Sequence, residues 1–241
     1  HADEGYIMAK GPKTSKRLKF RVKFDDQTLD YDLNGKGEYE VIPLQLGSGS
    51  YTCTLYKNVS GKKYAQEGRV GVKAKMEDPN IAFLYPNQYV NFNASSLPVA
   101  KAVELAFPAN NDLEVVERVY NYIIENFTYD YDKAATVVSG YLPVVDDLYK
   151  ANTGICFDYA ALMTGMLRSQ SVPCKLVVGY AGDVYHAWIS VYTVKDGWID
   201  NAIYFDGTTW KRMDPTFASS SNKSDAIMKY IGDGKNGKKS R

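Results

Sequence analysis

Three cysteines and two histidines carry the thiol and imidazole chemistry open to this 241-residue chain. His1 is terminal, so imidazole chemistry inside the fold falls to His186. A cysteine nucleophile needs a base to take its proton, a group to orient that base, and a position that favours thiolate, typically a helix N-terminus. Cys156 has that position in the sequence. TGICFDYAALMTGMLRSQ begins with a Thr-Gly turn and continues as an amphipathic helix, with Tyr159, Leu162, Met163, Met166 and Leu167 on its apolar side. The helix dipole there favours a thiolate by about 0.3–1 kcal/mol when exposed, and by more when partly buried. His186 opens the strand-like HAWISVY, and Asp214 closes WKRMD just before a proline. Thiol, imidazole and carboxylate, on a helix start and two successive strands, make a cysteine version of the catalytic triad once the strands are neighbours.

The elements that must hold these groups are read from hydrophobic periodicity. From Lys16 to about Met76 the period is two, clearest in RLKFRVKF, where Leu18, Phe20, Val22 and Phe24 alternate with charged residues. Further strands are expected at Glu38 to Leu46, at Tyr51 to Lys57 and at Arg69 to Met76, where Val70, Val72, Ala74 and Met76 form the apolar face. Gly-rich or polar turns separate them, which points to a small antiparallel β-sandwich. The period changes after Pro79. PVAKAVELAF and the stretch from Asp112 to Phe127 read as helices, the second with an apolar stripe of Val115, Val116, Val119, Tyr120, Ile123 and Phe127 and with Asn111 or Asp112 as N-cap. Thr128 to Thr153 reads as irregular. Cys156 to Gln170 is the next helix, followed by strands at Lys175 to Tyr180, His186 to Thr193, Trp198 to Phe205 and Trp210 to Met213, with Asp206-Gly207 as a hairpin signal. A short helix capped by Ser224 and a disordered basic tail are expected at the end. The division expected is an accessory domain over 1–95 and a catalytic domain over 96–241.

Composition excludes several classes. With 45% hydrophobic and 24% charged residues the chain is that of a soluble globular protein. Lys plus Arg number 29 against 28 Asp plus Glu, so no chain-wide field draws it to nucleic acid or to anionic membrane. No apolar run reaches the roughly 18 residues of a spanning helix, and the first residues lack the apolar core of a secretory signal. The opening His-Ala, without Met, suggests trimmed upstream sequence, and an extracellular or cell-surface setting is expected. Cys53, Cys156 and Cys174 form no C-x-x-C, so neither a disulfide framework nor a zinc ribbon is indicated. Asp130 and Asp132 in YDYDK lack the spacing and glycine of a calcium loop and read as a polar turn. No metal or cofactor is expected.

At the cysteine, histidine and aspartate the chain resembles the transglutaminase-like superfamily. The matching elements are Gly154-Ile155-Cys156-Phe157-Asp158-Tyr159-Ala160, Leu167-Arg168, Ser171-Val172-Pro173, Val178-Gly179-Tyr180, His186-Ala187-Trp188 and Asp214-Pro215-Thr216. Six elements in order are far more specific than any one of them, and the resemblance extends over residues 97 to 218. It implies an α+β fold: a papain-like transglutaminase core, with helices packed on an antiparallel sheet, beside the N-terminal β-sandwich. It also implies Cys156 as nucleophile, His186 as base and then acid, and Asp214 as orienter of the imidazole. Family members often add an upstream aromatic side chain, a role open to Tyr129 or Tyr131.

The chemistry expected is attack on a peptide or glutamine-type amide, loss of ammonia or an amine, and release of the thioester by water or a second amine. The Cys156 backbone amide is one oxyanion donor in this scheme. Trp188, on the face of His186, either lines the cleft or packs the core. Asp158 reads as a stabiliser of the helix N-terminus, and Cys53 and Cys174 as small hydrophobes. The missing zinc motifs speak against the family's deglycosylating branch, and the short length against calcium-regulated cross-linking. A protein or peptide substrate is expected, with hydrolysis favoured over cross-linking and cell-surface association through the N-terminal domain left open. The alternative is a binding or scaffolding module that keeps the fold without turnover.

Overall fold

Alternating apolar and charged side chains build the first compact unit, His1–Gln88. The computed structural model describes residues 1–181, 184–205 and 210–212. Asp214, the Asp206-Gly207 turn and the expected C-terminal helix lie outside the described residues. Six strands make the first unit: β1 (Tyr6–Lys10), β2 (Leu18–Phe24), β3 (Gln27–Leu33), β4 (Tyr39–Pro43), β5 (Gly49–Ser60) and β6 (Lys63–Ala74). They form a four-stranded antiparallel sheet ordered β3-β2-β5-β6 and an antiparallel pair β1-β4. Leu18, Phe20 and Val22 are buried with Tyr31, Leu33, Tyr51 and Cys53. On the opposite face Arg21 makes a two-pronged contact with Asp30, at 2.7 and 2.8 Å.

β1 and β3 were not among the expected strands. The β2–β3 connection is a two-residue hairpin in which Asp25 takes φ 48°, a conformation that Asp tolerates better than most residues. Val70 also differs from expectation. It stands opposite Cys53 in register, but on the edge strand β6, and is 56% exposed.

The second unit runs Tyr89–Arg241. It contains α1 (Leu97–Ala106), α2 (Asp112–Asn126), β7 (Thr128–Tyr129), α3 (Tyr131–Thr136), α4 (Val145–Ala151), β8 (Thr153–Gly154) and α5 (Cys156–Ser169). The antiparallel strands β9 (Cys174–Ala181), β10 (Val184–Thr193), β11 (Gly197–Phe205) and β12 (Trp210–Arg212) follow, in the order β12-β11-β10-β9. Asn111 caps α2 by accepting from the Glu114 N–H at 3.1 Å. The 128–153 stretch, expected to be irregular, instead holds α3, α4 and two short strands. Those helices span six and seven residues, too few turns for a hydrophobic period to show.

α5 is the centre of this unit. Every residue from Asp158 to Arg168 is buried, so the helix is enclosed all round rather than along one stripe. α1, α2 and α4 pack on it, as do β9 and β10. Ala160, Ala161 and Gly165 leave room for these neighbours to approach, and a Cβ at Gly165 would lie in contact with Val90 and Phe92, at 3.5 and 3.6 Å. The helix ends where Ser171 adopts φ 62° and the Val172 N–H returns to the Leu167 carbonyl at 3.1 Å, a helix C-terminus closed by a left-handed residue. The Arg168 guanidinium then donates to the Cys174 carbonyl at 2.9 and 2.8 Å, tying the end of α5 to the start of β9.

Candidate active site

Cys156 is the first residue of α5, and the chain just before it is fixed from two sides. β8 pairs in parallel with β7, which sets Tyr129 opposite Gly154. The Asp130 N–H donates to the Gly154 carbonyl at 2.9 Å and the Thr128 N–H to the Asn152 carbonyl at 2.9 Å. This short ladder brings the Tyr129 hydroxyl to Cys156, where it hydrogen-bonds both the sulfur and the backbone N–H. Burial, followed by the proximity of the cysteine, pushes the Tyr129 phenol up to about 12, so it is a proton donor at neutral pH. Tyr131, the other aromatic candidate, is 64% exposed and meets Tyr129 edge-on at 4.9 Å.

From the other side comes β10. The described β10–β11 register runs from Thr193↔Gly197 to Ile189↔Ile203, and Ala187 lies beyond it. Its N–H is turned to the Cys156 sulfur. Ala187, Ile189 and Val191 are buried in the core with α5. His186 and Trp188 therefore share the opposite face, because side chains alternate along a strand. Gly179 stands directly across from His186. A Cβ there would lie 3.1 Å from the Trp188 ring, so the glycine leaves space for the indole beside the imidazole. Both His186 and Trp188 are half-buried.

The electrostatics of Cys156 and His186 run in opposite directions. Burial pushes the Cys156 thiol up, opposed by hydrogen bonds from the Ala187 and Phe157 N–H groups and from Tyr129, while the Asp158 charge adds to the upward push. Burial pushes the His186 imidazole below its usual range. Thiol and imidazole therefore both rest neutral near pH 7. Among the described residues no hydrogen bond joins them. Cys53 and Cys174, each fully buried, are pushed up to about 11 by that burial. Of the three thiols, Cys156 has the most access to solvent.

Asp158 does more than sequence reasoning expected. It accepts from the Ile155 N–H at 3.0 Å and so closes the helix start, and its carboxylate is also gripped by Lys133 Nζ and the Tyr141 hydroxyl, each at 2.5 Å. Lys133, Tyr141 and the Ala187 N–H were missed from the sequence. The G-x-C-x-D spacing held a partial signal, since a Cβ at Gly154 would sit 2.7 Å from the Asp158 Cβ. Asp130 acts as the N-cap of α3, accepting from the Lys133 N–H at 2.8 Å.

Residues 100–215 match the family model of the transglutaminase-like superfamily. Among curated proteins, the chain is similar to the uncharacterized protein YebA of Bacillus subtilis (strain 168), at 26% identity over 202 residues that cover 72% of this chain and 26% of that protein. It is also similar to a protein-glutamine gamma-glutamyltransferase of Pseudomonas aeruginosa, at 29% identity over 89 residues, 31% of this chain and 13% of that one. The matches thus span about a quarter of the first relative's length and less of the second's. The solved periplasmic domain of TgpA from Pseudomonas aeruginosa aligns with a TM-score of 0.42 at 16% identity, covering 90% of this chain and 89% of that one. Among the described residues no helix is long and apolar enough to cross a membrane. The segment that is similar to the transglutaminase-like superfamily thus contains both Cys156 and His186.

Proposed function

We propose that the chain is a cysteine hydrolase or acyltransferase that opens peptide or glutamine-type amide bonds through a thioester on Cys156. The observation that carries this reading is the convergence on the Cys156 sulfur of the Tyr129 hydroxyl and the Ala187 N–H, next to His186. In the proposed reaction the Cys156 thiol gives its proton to the neutral His186 imidazole as sulfur attacks the carbonyl carbon. The resulting oxyanion takes hydrogen bonds from the Cys156 N–H and the Tyr129 hydroxyl. His186 returns the proton to the departing nitrogen, which leaves as ammonia or an amine. Water, or a second amine, then attacks the thioester with His186 again as base and regenerates the thiol. Asp214 is assigned the orientation of the imidazole, and Trp188 the flank of the cleft. The resting contact between thiol and imidazole forms as substrate enters, since catalytic hydrogen bonds are often long before a substrate is bound.

Hydrolysis is the favoured outcome over cross-linking, with a protein or peptide as substrate, and the N-terminal unit is assigned to substrate presentation or cell-surface attachment. An extracellular or cell-surface setting completes the proposal, and labelling of Cys156 on intact cells by a membrane-impermeant maleimide tests it. The activity is tested by ammonia and new-amine release from glutamine-containing peptides, compared between the native chain and Cys156→Ala and His186→Gln. Release that survives both substitutions contradicts the proposal. The absence of a resting thiol–imidazole hydrogen bond favours a second reading, a binding module without turnover. That reading expects tight peptide binding that is unchanged in Cys156→Ala, with no release of either product.

A further inference from the structure

The first turn of α5 is fastened to the segment that carries Tyr129 through one buried carboxylate. Asp158 is 1% exposed, yet it is fully engaged, by the Ile155 N–H, by Lys133 Nζ and by the Tyr141 hydroxyl. Lys133 Nζ also donates to the Tyr141 oxygen at 2.8 Å, closing a three-membered network. The aromatic ring of Tyr141 meets Phe157 edge-on at 6.3 Å, which adds an apolar contact between the same two segments. Lys133 sits on α3, four residues after Tyr129, the β7 residue that touches the sulfur. Asp158 lies two residues after the nucleophile, and its negative charge opposes a thiolate there.

We infer that Lys133 is a positioning residue for Cys156: its ammonium cancels the Asp158 charge beneath the sulfur, and its grip on that carboxylate holds Tyr129 against the nucleophile. The inference rests on the proposed role of Cys156. An exposed ion pair would do little of this, because solvent screens it. Here one partner is sealed from water, so loss of the cation leaves a buried negative charge beside the reacting atom, and its field there is weakly screened. The burial of Lys133 pulls its ammonium down, but the hydrogen bonds to Asp158 and Tyr141 outweigh it, and the group stays cationic at neutral pH. Among the described residues, the titratable groups around Cys156 at this corner include Tyr129, Lys133, Tyr141, Asp158 and His186, with Tyr131 and Tyr159 against the Tyr129 ring and Asp130 at the Lys133 N–H.

Two substitutions in the full chain give opposite shifts that general damage to the fold would not produce. Cys156 alkylation by iodoacetamide is followed by mass spectrometry from pH 6 to 10, together with melting temperature. In Lys133→Met the pH midpoint of the rate is expected to rise by about one unit, which slows alkylation about tenfold at pH 7. In Asp158→Asn, where the lysine is left without its counter-charge, the midpoint is expected to fall by about one unit. Lys133→Arg keeps the charge and is expected within about threefold of the native rate. Turnover by Lys133→Met is expected to lose kcat with little change in KM. Should Lys133→Met fail to fold, the downward shift in Asp158→Asn still decides the matter. Equal midpoints in the native chain and in every folded variant overturn the inference. If the native Cys156 reacts no faster than Cys53 and Cys174, the nucleophile role fails first, so the two failures are distinguishable.

Discussion

Cys53 and Cys156 are the same residue in two kinds of backbone. Cys53 stands in the middle of β5, with Val22 across on β2 and Val70 across on β6, so the ladders on both sides use the neighbouring amides and the thiol is left as a small apolar side chain. Cys156 stands at the first residue of a helix, where the amides of the first turn have no carbonyl partner within the helix, and the Ala187 N–H of β10 is turned to its sulfur. The ladders of β5 take up the backbone groups on both sides of Cys53, whereas a helix start leaves N–H groups free of the helix's own carbonyls, and at Cys156 the N–H groups of Phe157 and Ala187 are turned to the sulfur. The polar surroundings of the Cys156 sulfur are therefore a property of where a helix starts, and the burial of Cys53 within a continuous ladder offers it only an apolar setting.

This contrast is broken most sharply by replacing each thiol in turn. Cys156→Ala is expected to lower amide turnover by more than about a thousandfold with a melting temperature close to native, because the side chain is incompletely buried. Cys53→Ala is expected to leave turnover unchanged and to cost on the order of 1 kcal/mol of stability through the small cavity it opens. Parallel kinetic and thermal measurements check both halves. Next in size is Tyr129→Phe, which removes the hydroxyl from the sulfur while keeping the ring. A drop in kcat of about a hundredfold, with KM little changed, is the expected signature of a lost oxyanion donor.

Gly154→Ala sharpens the comparison at the level of packing. The new Cβ would be placed 2.7 Å from the Asp158 Cβ, and thermal unfolding is expected to show a loss of about 1–3 kcal/mol. The smallest effect is in pH. Because burial holds the folded-state imidazole of His186 below its ordinary value, the unfolded chain binds more protons in the window beneath about pH 6.5. Stability therefore rises with pH through that window and is lost as pH falls. His186→Gln is expected to flatten this slope in a melting-temperature series.

How far the sequence disclosed all this depended on the length of the signal. α2 and α5 were legible because three or more turns of apolar period are hard to mistake, and β2 because every second residue is charged. α3 and α4 were not, since each offers about two turns. β3 was hidden behind an Asp-Asp turn that lacks the usual glycine. At the site, Cys156 and His186 stood out by scarcity and motif. Tyr129 was narrowed to one of two tyrosines, and the distinction between it and Tyr131 depends on the parallel β7–β8 pairing, which no local pattern reveals. Lys133 and Tyr141 lie in a stretch without periodicity, and their meeting with Asp158 is purely tertiary. The Ala187 N–H has no side-chain signature at all.

The most direct measurement is capture of the acyl group itself. The full chain is incubated with a library of glutamine-containing and unmodified peptides, quenched in acid, digested and read by mass spectrometry at the Cys156 peptide. A hydroxylamine-labile mass increment on Cys156, absent from Cys53 and Cys174, is the result expected. An unmodified Cys156, in folded protein that still reacts there with iodoacetamide, would contradict the thioester at the centre of the account.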